Sequence, residues 1–302
     1  MNNTKTSRRD FLKLVKIFSL RVAAVGLLGY GYSTEVEMNW IEVTKLKLKL
    51  PRLDPDFQGL KLVQISDFHI GQWIDKERLN RVFDLALEQK PDYFLLTGDY
   101  LEFHPYGAPN EWATYAKNLD LISSSFSRLS GFCPTIAILG NHDHMIYAGW
   151  IEQALVDAGI SVLRNAVKTI KRGNAELQIA GLDDVRQRMD RLDKLMHLLP
   201  GNGAAVLLAH EPDFADTAAT TGRFDLQISG HSHGGQIVIP LIGPPLLPEL
   251  GRKYPSGLYN INDMLLYTNR GIGVTTINAR FNCRPEITVF TFESERMDFL
   301  QK

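Results

Sequence analysis

From Trp40 onward the chain alternates between apolar and polar positions. Ile41 and Val43, then Leu46, Leu48 and Leu50, predict an opening strand. Short apolar runs follow, each closed by a polar cluster. Residues 60–66 end at Asp67-Phe68-His69, 93–97 at Gly98-Asp99, and 135–139 at Gly140-Asn141-His142-Asp143. Residues 205–209 end at His210, and 225–229 at Gly230-His231-Ser232-His233. Helical spacing appears between them. Residues 76–89 follow Asp75 as N-cap and place Leu79, Val82, Phe83 and Ala86 on one face. Segments 112–129 and 184–199 read the same way. Two hairpins are predicted, 167–171 with 176–180 around Gly173-Asn174, and 258–261 with 265–268 around Asn262-Asp263. A last strand spans 286–292. Strands alternating with helices imply an α/β fold, and the strand number suffices for two packed sheets with helices outside.

Residues 1–33 follow another pattern. Lys5, Arg8, Arg9, Lys13 and Lys16 stand against Asp10 alone, and 17–32 is apolar apart from Arg21. A positive stretch before an apolar one is the layout of a targeting segment. Ser7-Arg8-Arg9-Asp10-Phe11-Leu12-Lys13 resembles the twin-arginine export signal. Arg21 interrupts the run, so a conventional membrane span is not expected. No Ala-x-Ala site follows, which suits a retained anchor. The expected organisation is a signal or anchor over 1–33 and one catalytic domain over 34–302. The expected location is at a membrane, reached by the twin-arginine route or, alternatively, on the cytoplasmic face of the inner membrane.

Composition narrows the function. With 33 Lys plus Arg against 34 Asp plus Glu the net charge is -1, unlike the basic excess of nucleic-acid binders. Two cysteines, Cys133 and Cys283, exclude a disulfide framework and a thiolate zinc site. They are expected to be buried thiols, with one long-range disulfide as the alternative in an exported domain.

In α/β sheets ligands gather at the carboxyl ends of strands. Five apolar runs here end in carboxylate, imidazole or amide groups, so folding the sheet should bring them together. Their order, Asp67-x-His69, Gly98-Asp99, Gly140-Asn141-His142-Asp143, His210, Gly230-His231-Ser232-His233, resembles the calcineurin-like metallophosphoesterase family over roughly residues 58–292. That resemblance implies a four-layer αββα sandwich and two divalent ions. Asp67, His69 and His233 would hold the first, Asn141, His210 and His231 the second, and Asp99 would bridge them. Oxygen and imidazole ligands without thiolate favour Mn²⁺, with Fe, Zn²⁺ or Mg²⁺ as alternatives. A water between two such ions is acidified and attacks phosphorus in line. By the same resemblance His142 protonates the leaving oxygen or binds the phosphate, and Asp143 orients its imidazole, or else caps the following helix. His104 and His144 are candidates for the substrate cleft, and His197 for a structural role.

Residues 237–250 contain eight Ile, Val or Leu and four Pro, with Glu249 the single charge. Such a loop either packs under the fold or faces an acyl chain. Leu246 and Leu247 are its candidate substrate contacts, with Arg252 and Lys253 at lipid headgroups. Asp67-Phe-His-Ile-Gly71, the Gly-His-Ser-His-Gly-Gly-Gln run, Ser256-Gly257-Leu258-Tyr259, Asn269-Arg270-Gly271-Ile-Gly273 and Arg284-Pro285-Glu286-Ile287 are similar to the membrane-associated branch grouped with UDP-2,3-diacylglucosamine pyrophosphatases. The expected activity is hydrolysis of a membrane-lipid phosphoester or pyrophosphate. The alternatives are an exported enzyme for another lipid or a small phosphodiester, and a non-catalytic metal-binding scaffold. Expected partners are the substrate and a membrane surface, without nucleic acid; the sequence does not set the oligomeric state. Because the export machinery reads the arginine pair and not its charge, Arg8→Lys with Arg9→Lys should abolish export, and unchanged fractionation would refute the signal.

Overall fold

The computed structural model describes residues 7–103 and 111–295. His104 and residues 1–6 lie outside them, so the cleft role considered for His104 falls on an undescribed residue. Helix α1 (Arg8–Gly31) leads through short helical turns at 32–39 into β1 (Glu42–Leu50). Then come β2 (Lys61–Ile65), α2 (Lys76–Leu87), β3 (Tyr93–Thr97), α3 (Glu111–Ser130), β4 (Thr135–Ile138), α4 (Asn141–Ile146), α5 (Ala148–Asp157) and β5 (Ser161–Val162). The second half holds β6 (Ala166–Arg172), β7 (Ala175–Gly181), α6 (Leu192–Leu198), β8 (Ala205–Leu208), α7 (Ala215–Thr220) and β9 (Leu226–Ser229). A hairpin of β10 (Gly257–Ile261) and β11 (Met264–Thr268) precedes β12 (Glu286–Ser294).

The strands form two six-stranded mixed sheets, ordered β1-β12-β2-β3-β4-β5 and β10-β11-β9-β8-β7-β6. In the first, β2, β3, β4 and β5 are parallel, and in the second β7, β8, β9 and β11 are parallel. Three cores define the layers. Leu62, Leu95, Ile136, Val206, Leu226 and Phe290 meet between the sheets. Val63, Phe94 and Ala137 face Leu79, Phe83, Phe126 and Ile151 of α2, α3 and α5. Ala205 and Leu207 face Leu195 and Ala218 of α6 and α7. The αββα sandwich implied by the ligand motifs is the observed architecture. The opening strand explains its own two-phase pattern: Leu46, Leu48 and Leu50 point between the sheets, whereas Ile41 and Val43 pack on the helical side.

One element differs from expectation. Segment 184–199 is helical only over Leu192–Leu198. Its first half cannot wind because side chains capture the amides a helix would use. Glu211 accepts from Val185 N and Arg186 N (3.3 and 3.2 Å), and Asp184 accepts from Gln187 N (2.6 Å). Helices α4 and α5 and strand β5 were not anticipated from the periodicity; they are short and crowd between two metal-bearing loops.

The N-terminal helix projects apolar side chains such as Phe18, Leu20, Leu27 and Leu28 into solvent. Among the described residues no helix is long and apolar enough to cross a membrane. Beyond it the chain docks firmly. Ser33 O accepts from Arg280 N (3.0 Å), Tyr32 meets Phe281 edge to face, and the buried Glu37 carboxylate accepts from Cys283 N (2.5 Å). Both cysteines are free thiols, Cys283 buried and Cys133 half-buried.

Candidate metal centre

Every sequence-predicted ligand leaves a strand at its carboxyl end. Asp67 and His69 follow β2, Asp99 follows β3, Asn141 opens α4 after β4, His210 follows β8, and His231 and His233 follow β9. Parallel strands within each sheet aim these ends the same way, and packing of the sheets brings the two sets together. Asp67 N donates to Gly98 O (3.0 Å), His69 N to Asp99 O (3.1 Å), and His231 N to the Asp67 carboxylate (3.0 Å). Asp67, His69, Asp99, His231 and His233 all have positive φ, between 46° and 69°. A non-glycine residue there costs of order 1–3 kcal/mol, and such strain clusters at functional sites. Two glycines permit the approach: a Cβ on Gly140 would strike the Asp99 carboxylate, and one on Gly230 would strike Ser66 and Asp67.

The side chains converge in three groups, Asp67–His69–His233, Asp99–His210–His231 and His69–Glu102–His142, whose ligating atoms lie within 4.8 Å of one another in each group. His210 Nε2 stands 3.1 Å from Asp99 Oδ2, and His69 Nε2 stands 3.7 Å from the same oxygen. His233 Nε2 lies 3.4 Å from Asp67 Oδ1 and 3.0 Å from His69 Nε2. Asp99 is therefore the carboxylate shared between the groups. Three imidazoles are oriented from behind: His69 Nδ1 meets Glu102 (2.5 Å), His210 Nδ1 donates to Thr97 O (2.6 Å), and His231 Nε2 donates to Glu249 O (2.7 Å). Each keeps its other nitrogen free for the cluster, the arrangement metal-ligating histidines share.

The charges ask for a cation. Burial alone would keep His210 neutral, but Asp99 and Asp67 outweigh it and hold its pKa well above the ordinary value. Burial raises Asp67, reinforced by Asp99, although His210 opposes. His231 is pushed down to about 3 by burial and then by His210, which leaves it neutral and able to ligate. Asn141 adds a steric test. Its amide stands 2.8 Å from His231 Nδ1 and 3.3 Å from an Arg186 guanidinium nitrogen. With its nitrogen toward His231 the amide would donate a hydrogen bond there, whereas a cation shared with His231 favours the oxygen inward. His210 Nε2 and His233 Nδ1 are buried without hydrogen bonds. The donor set fits hard or borderline divalent ions.

Three expected contacts differ. Asp143 does not hydrogen-bond His142 among the described residues; its carboxylate accepts from the backbone N–H groups of Asp99, Tyr100 and Gly140, each at 2.9 Å. The acid beside His142 is Glu102, 3.6 Å from its Nδ1, which also holds His69 and accepts from Thr275 Oγ1 (3.0 Å). Glu102 was missed; its position three residues after Asp99, on the same strand-end loop, is the signal in the sequence. Arg252 does not reach the site, because its amide is bound to Asp213 on the outer rim. Leu246 and Leu247 do reach it. They line a cavity of about 280 Å³ together with Asp99, Asn141, His142, Arg186, His231, His233, Ile237 and Ile277. His144 instead pairs with Asp183 (2.7 Å), and the exposed His197 bonds Asp193 O.

Such a fold with such a cluster defines a metal-dependent hydrolase. Residues 60–235 match the family described as calcineurin-like phosphoesterase. The chain is 34% identical over 296 residues to the metallophosphoesterase YkuE of Bacillus subtilis, covering 96% of this chain and 99% of the relative. It is 30% identical to phosphodiesterase YaeI of Escherichia coli, covering 86% and 92%. Among solved structures, a dimetal phosphatase from Danio rerio overlaps at TM-score 0.45 and 12% identity, covering 79% and 99%. The chain belongs to the calcineurin-like phosphoesterase family, enzymes that hydrolyse phosphoester bonds.

Removing the Asp143 carboxylate would orphan three buried amides. Asp143→Ala should therefore cost about 3–5 kcal/mol and lower the Tm of metal-free protein by about 6–15 °C. An unchanged Tm would return Asp143 to a role confined to His142.

Proposed function

We propose that the chain is a dinuclear phosphodiesterase acting on an amphipathic phosphoester or pyrophosphate, as in the UDP-2,3-diacylglucosamine pyrophosphatase branch, with its acyl portion against Leu246, Leu247 and Ile277. One observation carries the reading: the ligand cluster and these aliphatic side chains line a single cavity. Leu246 is 69% exposed and Ile277 45%, which a substrate of purely polar character would leave in water. The name of the YaeI relative supports a diester rather than a monoester.

In this reading Asp67, His69 and His233 hold one divalent ion, Asn141, His210 and His231 the other, and Asp99 both. Mn²⁺ is the ion proposed, with Fe, Zn²⁺ or Mg²⁺ as alternatives. The pair supplies Lewis acidity toward phosphoryl oxygens and a nucleophile at neutral pH. The protein does the rest. His142 N fixes the shared carboxylate by donating to Asp99 Oδ1 (2.9 Å), so one residue positions both Asp99 and its own imidazole. That imidazole faces the cavity and is proposed to deliver the proton to the leaving oxygen. Burial, opposed by the charges of Asp99 and Glu102, holds its pKa below the ordinary histidine value.

A membrane location follows from the same logic. The apolar α1 joins the domain at Phe281 and Arg280, close in sequence to Ile277 of the cavity wall. The segment is proposed to keep the enzyme at the bilayer after export by the twin-arginine route, or on the cytoplasmic face if the signal is not used.

Protein reconstituted with Mn²⁺ should hydrolyse bis-p-nitrophenyl phosphate, and Asp99→Ala should lower that kcat/KM by more than about a hundredfold, since general electrostatic stabilisation of this kind is worth about 10²–10³. Wild-type turnover by the variant would remove the dinuclear reading. Burying one methylene is worth about 0.8 kcal/mol, so losing contact with three or four changes affinity about a hundredfold. Leu246→Ser with Leu247→Ser should thus weaken hydrolysis of an acylated phosphodiester by about that factor while sparing the p-nitrophenyl ester. Equal effects on the two substrates would exclude the acyl-chain contact.

A further inference from the structure

Residues 183–191 form the most heavily tethered loop near the cavity, yet they contribute none of the candidate metal ligands. Asn165 ties both ends: its Oδ1 accepts from Asp183 N (3.2 Å) and Arg191 N (2.9 Å), and its Nδ2 donates to Met189 O (2.8 Å). The centre is pinned by the fully buried Glu211, which accepts from Val185 N and Arg186 N. Arg188 adopts a positive φ of 58° to close the turn. So much ordering costs conformational entropy.

What the loop delivers is one side chain. Arg186 is the residue of this segment that lines the catalytic cavity. Its guanidinium lies 3.3 Å from the Asn141 amide. Among the described residues no carboxylate is within ion-pair distance of it, whereas its neighbours Arg164 and Arg191 are paired with Asp183 and Asp193. Arg186 is exposed at the cavity mouth, so its guanidinium is open to an anion that enters. Moreover, if Asn141 turns its oxygen toward a cation shared with His231, its amide nitrogen faces Arg186 and the guanidinium loses that acceptor too. Its donors are then left for whatever occupies the cavity.

We propose that Arg186 is the phosphoryl-binding residue of this cavity, its planar fork taking two non-bridging oxygens of the phosphate under attack, and that Glu211 and Asn165 are positioning residues for it. The inference deepens the phosphoester reading and rests on it. A guanidinium matches paired phosphate oxygens bidentately. Placed beside the Asn141 end of the cluster, it also meets the charge that spreads over those oxygens as the ester bond breaks.

The test uses the full chain loaded with Mn²⁺. Inorganic phosphate binding is followed by calorimetry, metal content by elemental analysis, and kcat/KM on bis-p-nitrophenyl phosphate with and without added guanidinium chloride. Arg186→Ala should weaken phosphate binding at least about tenfold and lower kcat/KM by about 10²–10³-fold, with metal content unchanged. Millimolar guanidinium should restore part of the rate. Arg186→Lys, which conserves charge and fold but not the fork, should stay well below wild type. Asn165→Ala should give the same pattern in weaker form. Phosphate affinity and kcat/KM near wild type in Arg186→Ala would overturn the proposal, as would losses that track lost metal, since Arg186 would then merely support Asn141. If wild-type protein fails to turn over the ester while Arg186→Ala still loses phosphate affinity, the hydrolytic reading falls and the anion subsite stands.

Discussion

Charge concentrated in a place without water governs this molecule. Asp67, Asp99, Glu102 and Asp143 are all buried at the strand ends, alongside the imidazoles of His69, His210, His231 and His233. Unpaired, any one of these carboxylates would be costly to desolvate. The structure answers with backbone amides: three on Asp143, one from His231 on Asp67, and one from His142 on Asp99. The remaining negative charge raises the pKa of His210 and is what divalent ions at this cluster would offset.

The same constraint reaches outward. His233 O accepts from Cys283 Sγ (3.2 Å), Cys283 N binds the Glu37 carboxylate, and Glu37 sits at the end of the N-terminal helical stretch. The helix that leads into the domain is thereby wired to a candidate ligand through two residues. Arg280, fully buried, donates to the carbonyls of Arg270, Gly271, Gly273 and Cys283, which freezes the loop passing behind Asp67. The site and the segment at 32–37 thus form one continuous hydrogen-bonded body.

The cavity divides by chemistry. Its lining combines the polar Asp99, Asn141, His142 and Arg186 with the aliphatic Ile237, Leu246, Leu247 and Ile277. The polar lining comes from strand ends and from a loop stiffened by Glu211. The aliphatic lining comes from the proline-rich stretch, where Pro245 and Pro248 prevent regular structure and leave side chains turned inward or out to solvent.

Much of this was legible in the residues alone. The strands that carry these residues, β2, β3, β4, β8 and β9, are buried almost throughout, so each apolar run is nearly continuous and a polar cluster directly after it lies at the sheet's carboxyl edge. That is why Asp67, His69, Asp99, Asn141, His210, His231 and His233 could be picked before any coordinates, and why β3 and α2 fell where periodicity put them. Glu102, Arg186 and the true partners of Asp143 were not legible. Their roles depend on which backbone amide or imidazole folding brings beside them from elsewhere in the chain, as Asp143 meets Tyr100 43 residues away and Glu211 meets Arg186 25 residues away. Local pattern encodes which face of an element is buried; only tertiary packing decides which buried polar groups must satisfy one another, because that pairing is set by distances across the fold and not along the chain.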